Sequence, residues 1–135
     1  EKLRGRRVEP IALNVDVAPT VVDMAGLAPP ESMQGRSLVP LLAGNVPDDW
    51  REEFFYEHHF RHGGKIPRCE GIRGERWKYV RYTKKEPVFE QLFDLENDPE
   101  EIDNLAEESQ HQDVLEAMRK KTDQWRDRLG TPPRN

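Results

Sequence analysis

The chain has 135 residues, the length of one ordinary domain. Charged residues make up 35% of it and apolar residues another 35%, roughly 42% with the glycines, just under the usual globular share of about 45–50%. The net charge of −5 argues against a general nucleic-acid binder. No apolar run reaches the roughly 18 residues of a membrane-spanning helix, and the single Cys69 excludes an internal disulfide and a cysteine-based zinc cage.

The chain opens at Glu1 inside a basic polar run, Lys2 to Arg7, that has the character of a turn within a protein. It does not begin with Met and shows no signal-peptide pattern. A piece cut from a longer protein is the expectation, and its compartment stays open. Ile11 to Val15, bounded by Pro10 and Asp16, predicts a short buried strand. Asp16 stands where a helix begins, and Pro19 falls in the first turn, where its missing N–H does no harm. Val17, Thr20, Val21, Met24 and Leu27 recur at helical spacing and give one apolar face. Gly26 and the Pro29–Pro30 pair end it. Ser37 is placed to cap a second short helix, Leu38 to Ala43, with Leu38, Leu41 and Leu42 as its apolar stripe and Gly44 as its stop.

Phe54 to Phe60 reads as an aromatic strand broken by Gly63–Gly64. Ile72 to Thr83 holds the clearest alternation: Trp77, Tyr79 and Arg81 face one way, Lys78, Val80 and Tyr82 the other. A turn near Gly74–Glu75 separates Gly71–Arg73 from this strand, and Val88 to Leu95 forms another. Strands in such succession form an antiparallel meander, the simplest sheet topology. Asn97-Asp98-Pro99 predicts a turn that starts a helical stretch, with Glu100 and Glu101 suited to its N-terminus. The last helix runs from about Ser109 to Leu129. Its stripe is Val114, Leu115, Met118, Trp125 and Leu129, and Gly130 and Pro132–Pro133 end it.

Charge is unevenly placed. Arg61 to Lys85 holds nine Lys or Arg against two acids, Glu70 and Glu75. Glu86 to Met118 holds no Lys or Arg, and ten acids fall between Asp94 and Glu116. Either the two regions are solvated faces that partly neutralise one another, or the basic one meets an anionic ligand.

Each candidate for chemistry has a plainer reading beside it. Cys69 precedes Arg73 by four residues, but on a strand that spacing is about 13 Å, and the glycine-rich backbone of an anion cradle is missing. A half-buried strand residue is the simpler account. His58, His59 and His62 cluster, as a metal site, as a polar rim around a ligand, or as structural histidines. Arg76, Trp77, Lys78, Tyr79 and Arg81 mix basic and aromatic groups in a nucleic-acid manner, yet such aromatics are usually sheet core. Asp94 to Glu101 has some calcium-loop character without the glycine and closing glutamate of an EF-hand. Residue patterns alone therefore stop at an α+β domain with no complete catalytic constellation.

Three segments together resemble the C-terminal end of the sulfatases of the alkaline-phosphatase superfamily. They are Asn14-Val-Asp-Val-Ala-Pro-Thr-Val-Val-Asp-Met-Ala-Gly-Leu27 with Met33-Gln-Gly-Arg-Ser-Leu-Val-Pro-Leu-Leu42, then Glu70-Gly-Ile-Arg-Gly-Glu-Arg-Trp-Lys-Tyr-Val-Arg-Tyr82, then Gln91-Leu-Phe-Asp-Leu-Glu-Asn-Asp-Pro-Glu-Glu-Ile-Asp-Asn-Leu-Ala106. They come in the family's order and cover about residues 8–128. The resemblance implies a parent that hydrolyses sulfate esters, glycan sulfates among them, with a formylglycine made from a Cys-x-Pro/Ala-x-Arg cysteine and a calcium ion. Both would lie upstream, leaving this piece catalytically inert and without cofactor or metal of its own. Cys69 echoes the motif, but Gly71 stands where Pro or Ala is required, so the role is not carried over.

The implied fold is α+β. A small antiparallel sheet of about four strands is packed by the long C-terminal helix and preceded by a strand-helix remnant of an alkaline-phosphatase-like α/β domain. Residues 1–45 would end the large catalytic domain, and 46–135 would form the C-terminal subdomain. The expected partner is the parent's own N-terminal catalytic domain, with no nucleic acid and no membrane. Without that partner the stripe from Val17 to Leu27 is exposed, and the piece self-associates. A periplasmic, extracellular or lysosomal compartment suits such a parent. In glycan-directed members the loop between the first two strands approaches the substrate, so His58, Arg61, His62, Lys65 and Arg68 are the expected anion-binding rim. The alternatives are a self-standing module for anionic ligands or proteins, a helix-based interaction domain, and a piece of a related phosphate or phosphonate ester hydrolase.

Overall fold

Period-two alternation from Phe54 to Asp94 produces one sheet. In the computed structural model, which describes residues 5, 7–58, 67–83 and 85–130, its strands are β1 (Glu53–His58), β2 (Cys69–Gly74), β3 (Trp77–Tyr82) and β4 (Phe89–Asp94). They follow the order β1-β2-β3-β4, each antiparallel to the next. Among the described residues three α-helices accompany them: α1 (Val17–Met24), α2 (Val39–Leu42) and α3 (Gln112–Arg128). The chain divides into two compact units, Glu1–Glu52 and Glu53–Asn135, whereas the sequence put the change at 45/46.

The division falls later because Trp50 and Arg51 are tied into the first unit. Asp16 is fully buried there. Its carboxylate accepts the Leu13 N–H at 2.7 Å, the Arg36 N–H at 2.9 Å and both ends of the Arg51 guanidinium. Burial pushes this carboxyl up, but Arg51 and the two amides outweigh it and hold it below the usual carboxylate range. The Arg36 and Arg51 guanidinium groups lie 4.6 and 5.1 Å from the centre of the Trp50 ring, and Trp50 donates its indole N–H to the Ile11 carbonyl.

That arrangement overturns the strand expected at Ile11–Val15. Leu13 is extended, but Asn14–Asp16 winds into a 3₁₀ turn, and no strand exists among the described residues of this unit to pair with. The Asp16 side chain takes the Leu13 amide that a neighbouring strand would have taken. Gly35 makes the approach feasible, since a Cβ there would lie 2.0 Å from the Val15 carbonyl oxygen. The helices match their predicted places with shorter bounds. Ser37 Oγ accepts the Val39 N–H at the start of α2, where Leu41 is buried and Leu42 is exposed.

In the second unit Phe55, Ile72, Tyr79 and Leu92 stand opposite one another across all four strands. Ile72, Tyr79 and Leu92 are fully buried, and Leu115 and Met118 of α3 close over them with Ala106. Phe55, Trp77, Leu105, Val114 and Trp125 pack around this centre. Two details depart from the expected helix stripe. Thr122 is fully buried, its hydroxyl bonded to the Met118 carbonyl at 2.8 Å, and Leu129 is exposed just past the end of α3.

The helical stretch expected from Pro99 is also absent: after a turn at 95–97 the chain stays non-helical until the 3₁₀ turn Ser109–His111. Side chains take the local amides instead. Asp94 accepts from the Glu96 N–H, Asp98 from the Asp103 N–H. Asn104 then acts as a surrogate strand residue, accepting the Leu92 N–H and donating to the Glu90 carbonyl, both at 3.0 Å, so β4's outer edge is covered.

Gly71 is the tightest point of the sheet. A Cβ there would meet the Tyr79 carbonyl oxygen at 2.0 Å and the Tyr56 hydroxyl at 3.0 Å. Gly71→Ala is expected to destabilise the chain by about 2–3 kcal/mol, read from the midpoint of urea unfolding; an unchanged midpoint refutes this account of the packing.

Candidate functional site

The alternation that buries Tyr79 under α3 sends its neighbours to the opposite face. Tyr56, Cys69, Lys78, Val80, Tyr82 and Phe93 lie there, and with Gln91, Glu100 and Glu101 they line a cavity of about 470 Å³. His58, the last residue of β1, pairs with Cys69, the first of β2. Arg68 directly precedes that strand. Two of the five expected rim residues, His58 and Arg68, are thus brought together at one end of the sheet. Arg61, His62 and Lys65 lie outside the described residues. Arg68 is half-buried, and its Nε has no hydrogen-bond partner among the described residues.

Electrostatics separate the basic residues into two groups. Arg76 grips Asp94 through Nε at 3.1 Å and Nη2 at 2.8 Å, and that guanidinium holds the Asp94 carboxyl down at about 2. Lys78 pairs with Glu101. Arg81 reaches Glu70 at 2.6 Å and Asp123 at 2.7 Å, and Arg126 joins both carboxylates from α3. Arg119 clasps Glu90, which also accepts the Tyr79 hydroxyl proton; burial and that carboxylate push the phenol up. Much of the basic region is therefore neutralised by the fold. Arg68, Arg73 and Lys85 carry no ion pair among the described residues.

Cys69 is half-buried on β2, and burial pushes its thiol up, against the opposing pull of Lys78. A thiol held protonated is a poor nucleophile. Among the described residues no group of three or more His, Cys, Asp or Glu side chains is arranged to hold a metal ion. In the stretch with calcium-loop character, Asp94 and Glu96 pair with Arg76, Glu101 pairs with Lys78, and Asp98 accepts the Asp103 N–H.

The family described as N-sulphoglucosamine sulphohydrolase, C-terminal, matches residues 2–128. The chain belongs to this sulfatase family. It is 32% identical over 134 residues to the multifunctional alkaline phosphatase superfamily protein PehA of Trinickia caryophylli, covering 90% of this chain and 26% of that protein. It is 29% identical over 131 residues to the N-acetylglucosamine-6-O-sulfatase of Bacteroides thetaiotaomicron, covering 91% and 23%. A structure solved in complex with its substrate D-glucosamine-2-N,6-O-disulfate superposes with a TM-score of 0.81 at 26% identity, covering 91% of this chain and 26% of the other. The sulfatase domain thus spans about a quarter of the length of these relatives, and its α+β fold is theirs.

The sequence reading missed the contribution of β3 and β4 to the same sheet end, where Tyr82 pairs with Phe89. His58, Cys69, Tyr82 and Phe89 follow one another across the four strands on the face opposite α3.

The Asp94–Arg76 pair gives a pH test. A carboxyl lowered on folding contributes stability above its unfolded pKa of about 3.9 and loses it as the pH falls through the folded value. The stability difference between wild type and Asp94→Asn is expected to hold steady above about pH 5 and to shrink as the pH falls from 4 towards 2. Urea titrations across that range measure it; a difference independent of pH contradicts the assignment.

Proposed function

We propose that this chain is the C-terminal part of a larger enzyme that hydrolyses sulfate esters of glycans, and that it supplies part of the substrate cleft rather than the reacting groups. The family match over residues 2–128 carries the reading. The name N-acetylglucosamine-6-O-sulfatase and the disulfated glucosamine bound as substrate in the solved complex favour a sulfated amino sugar. In this reading the calcium ion and the formylglycine belong to the preceding catalytic domain, and the chain alone is inert.

His58 and Arg68 are the described members of an anion-binding rim completed by Arg61, His62 and Lys65. Arg68 brings a planar guanidinium with donors suited to a sulfate or carboxylate oxygen. In the full-length protein, His58→Ala and Arg68→Ala are each expected to lower kcat/KM on a sulfated glucosamine substrate by about three- to tenfold. A change within about twofold for both overturns the rim assignment. A second reading, a phosphate or phosphonate ester hydrolase of the same superfamily, rests on the likeness to a solved phosphonate monoester hydrolase of Agrobacterium radiobacter, 31% identical with a TM-score of 0.66. Turnover of a phosphonate monoester with none of a sulfate ester would select it.

The partner in this reading is the rest of the same polypeptide, docked on the first unit. Val17, Val21 and Met24 lie one turn apart on α1, with Val21 62% and Met24 70% exposed, and Leu27 continues the patch. The isolated chain is expected to self-associate through this face. Sedimentation of wild type against a Val21→Glu/Met24→Glu variant checks it: the variant should run as a monomer at concentrations where wild type does not. A monomeric wild type at high concentration refutes it.

A further inference from the structure

The sheet end that carries His58 and Arg68 extends beyond β1 and β2. Across the face opposite α3, the last pair of the β1–β2 ladder is His58 with Cys69, and the last pair of the β3–β4 ladder is Tyr82 with Phe89. Glu70 stands opposite Arg81, so Cys69 and Tyr82 are neighbours in one row. Three strand spacings make that row about 14 Å wide, broad enough for more than one sugar ring.

At its β3–β4 end the row has a distinct composition. The Tyr82 and Phe89 rings lie 5.4 Å apart, tilted by 39°. The Tyr82 hydroxyl donates to Gln91 Oε1 at 2.8 Å, which fixes the ring's angle. Phe89 is 39% exposed and Val88 beside it is more exposed still. Lys85 Nζ sits 4.9 Å from the Phe89 ring centre and 5.9 Å from that of Tyr82. Its ammonium is exposed and meets no carboxylate among the described residues, unlike Arg76, Lys78 and Arg81. An ammonium anchored over two rings brings three N–H donors to a fixed place beside an apolar platform.

We infer that Tyr82, Lys85 and Phe89 form a binding subsite for a sulfated sugar of the glycan. A pyranose turns a face of C–H groups to an aromatic ring while its substituents stay polar, and the Tyr82–Phe89 pair offers that ring surface. The Lys85 ammonium then pairs with a sulfate or carboxylate on the same sugar. The row from His58 to Phe89 becomes one binding track, with its aromatic pair and the Lys85 ammonium at the β3–β4 end. This rests on the sulfatase reading proposed above and assigns its specificity for an extended, anionic chain.

A purely structural reading also exists, because cross-strand aromatic pairs stabilise hairpins. The two separate in the full-length enzyme by comparing kcat/KM on a sulfated glucosamine-containing tetrasaccharide with kcat/KM on 4-nitrophenyl sulfate. For Lys85→Ala the tetrasaccharide-to-aryl ratio should fall about fivefold, the size of one exposed ion pair, through KM. It should fall further for Lys85→Glu and recover for Lys85→Arg. Phe89→Leu, which keeps apolar bulk without the flat ring, should lower the ratio too. Lys120→Ala, an exposed cation on α3, should leave it unchanged. The subsite is overturned if the ratio stays within about twofold in Lys85→Glu and Phe89→Leu, or if Lys120→Ala lowers it equally. A parallel loss on both substrates with a lowered melting temperature assigns the cluster to stability and also overturns it. If wild type cleaves neither sulfate substrate but does cleave a phosphonate monoester, the sulfatase reading itself fails and the subsite falls with it.

Discussion

Strand register is the constraint on which the rest of the second unit depends. Phe55, Ile72, Tyr79 and Leu92 meet α3 only because each strand pairs its neighbour at one particular offset. A slip of one residue in β3 would turn Tyr79 outward and drive Lys78 and Val80 beneath the helix. The same slip would break Arg81 from Glu70 and Asp123, and would carry Tyr82 away from Phe89. Core, ion pairs and candidate binding face are therefore one decision. Gly71 guards it, because no other side chain fits between Tyr56 and the Tyr79 carbonyl.

The register also decides what the charges do. Read along the chain, a basic stretch precedes an acidic one, and either could have faced a ligand. Folding lays β3 beside β4 and under α3, so Arg76, Lys78 and Arg81 find Asp94, Glu101 and Asp123 within reach. Opposite charges at such distances screen each other from solutes outside. The field that remains belongs to the few cations left unpaired, Arg68 and Lys85 at one end of the sheet and Arg73 towards the other. A protein with net charge −5 can hold a locally positive rim in this way.

How much was legible follows from which interactions are local. The four strands and the long helix could be read because alternation and helical spacing are properties of consecutive residues. The family could be read because three segments keep their order. Ile11–Val15 was misread as a strand because the outcome hangs on Asp16, whose partners Arg36 and Arg51 stand far along the chain. The helix expected at Pro99 lost to Asp94, Asp98 and Asn104, whose side chains captured the local amides or paired with β4. Thr122 was missed as core because a threonine counts as polar until its hydroxyl finds the Met118 carbonyl. Half of the candidate site was visible as a cationic loop. The other half, Tyr82 with Lys85 and Phe89, required knowing that the β3–β4 ladder ends on the same face as His58.

The carboxylate of Asp16 has a consequence for anyone dividing this polypeptide. It binds the Leu13 amide before it, the Arg36 amide beyond α1, and the Arg51 guanidinium just ahead of β1. A cut anywhere in residues 44–50, where glycine and proline make the chain look severable, would carry Arg51 away with the other half. The stranded carboxylate would either take up a proton or open its pocket to water. Swapping this region between related proteins therefore requires Asp16 and Arg51 to travel together, and the workable seam lies after Arg51.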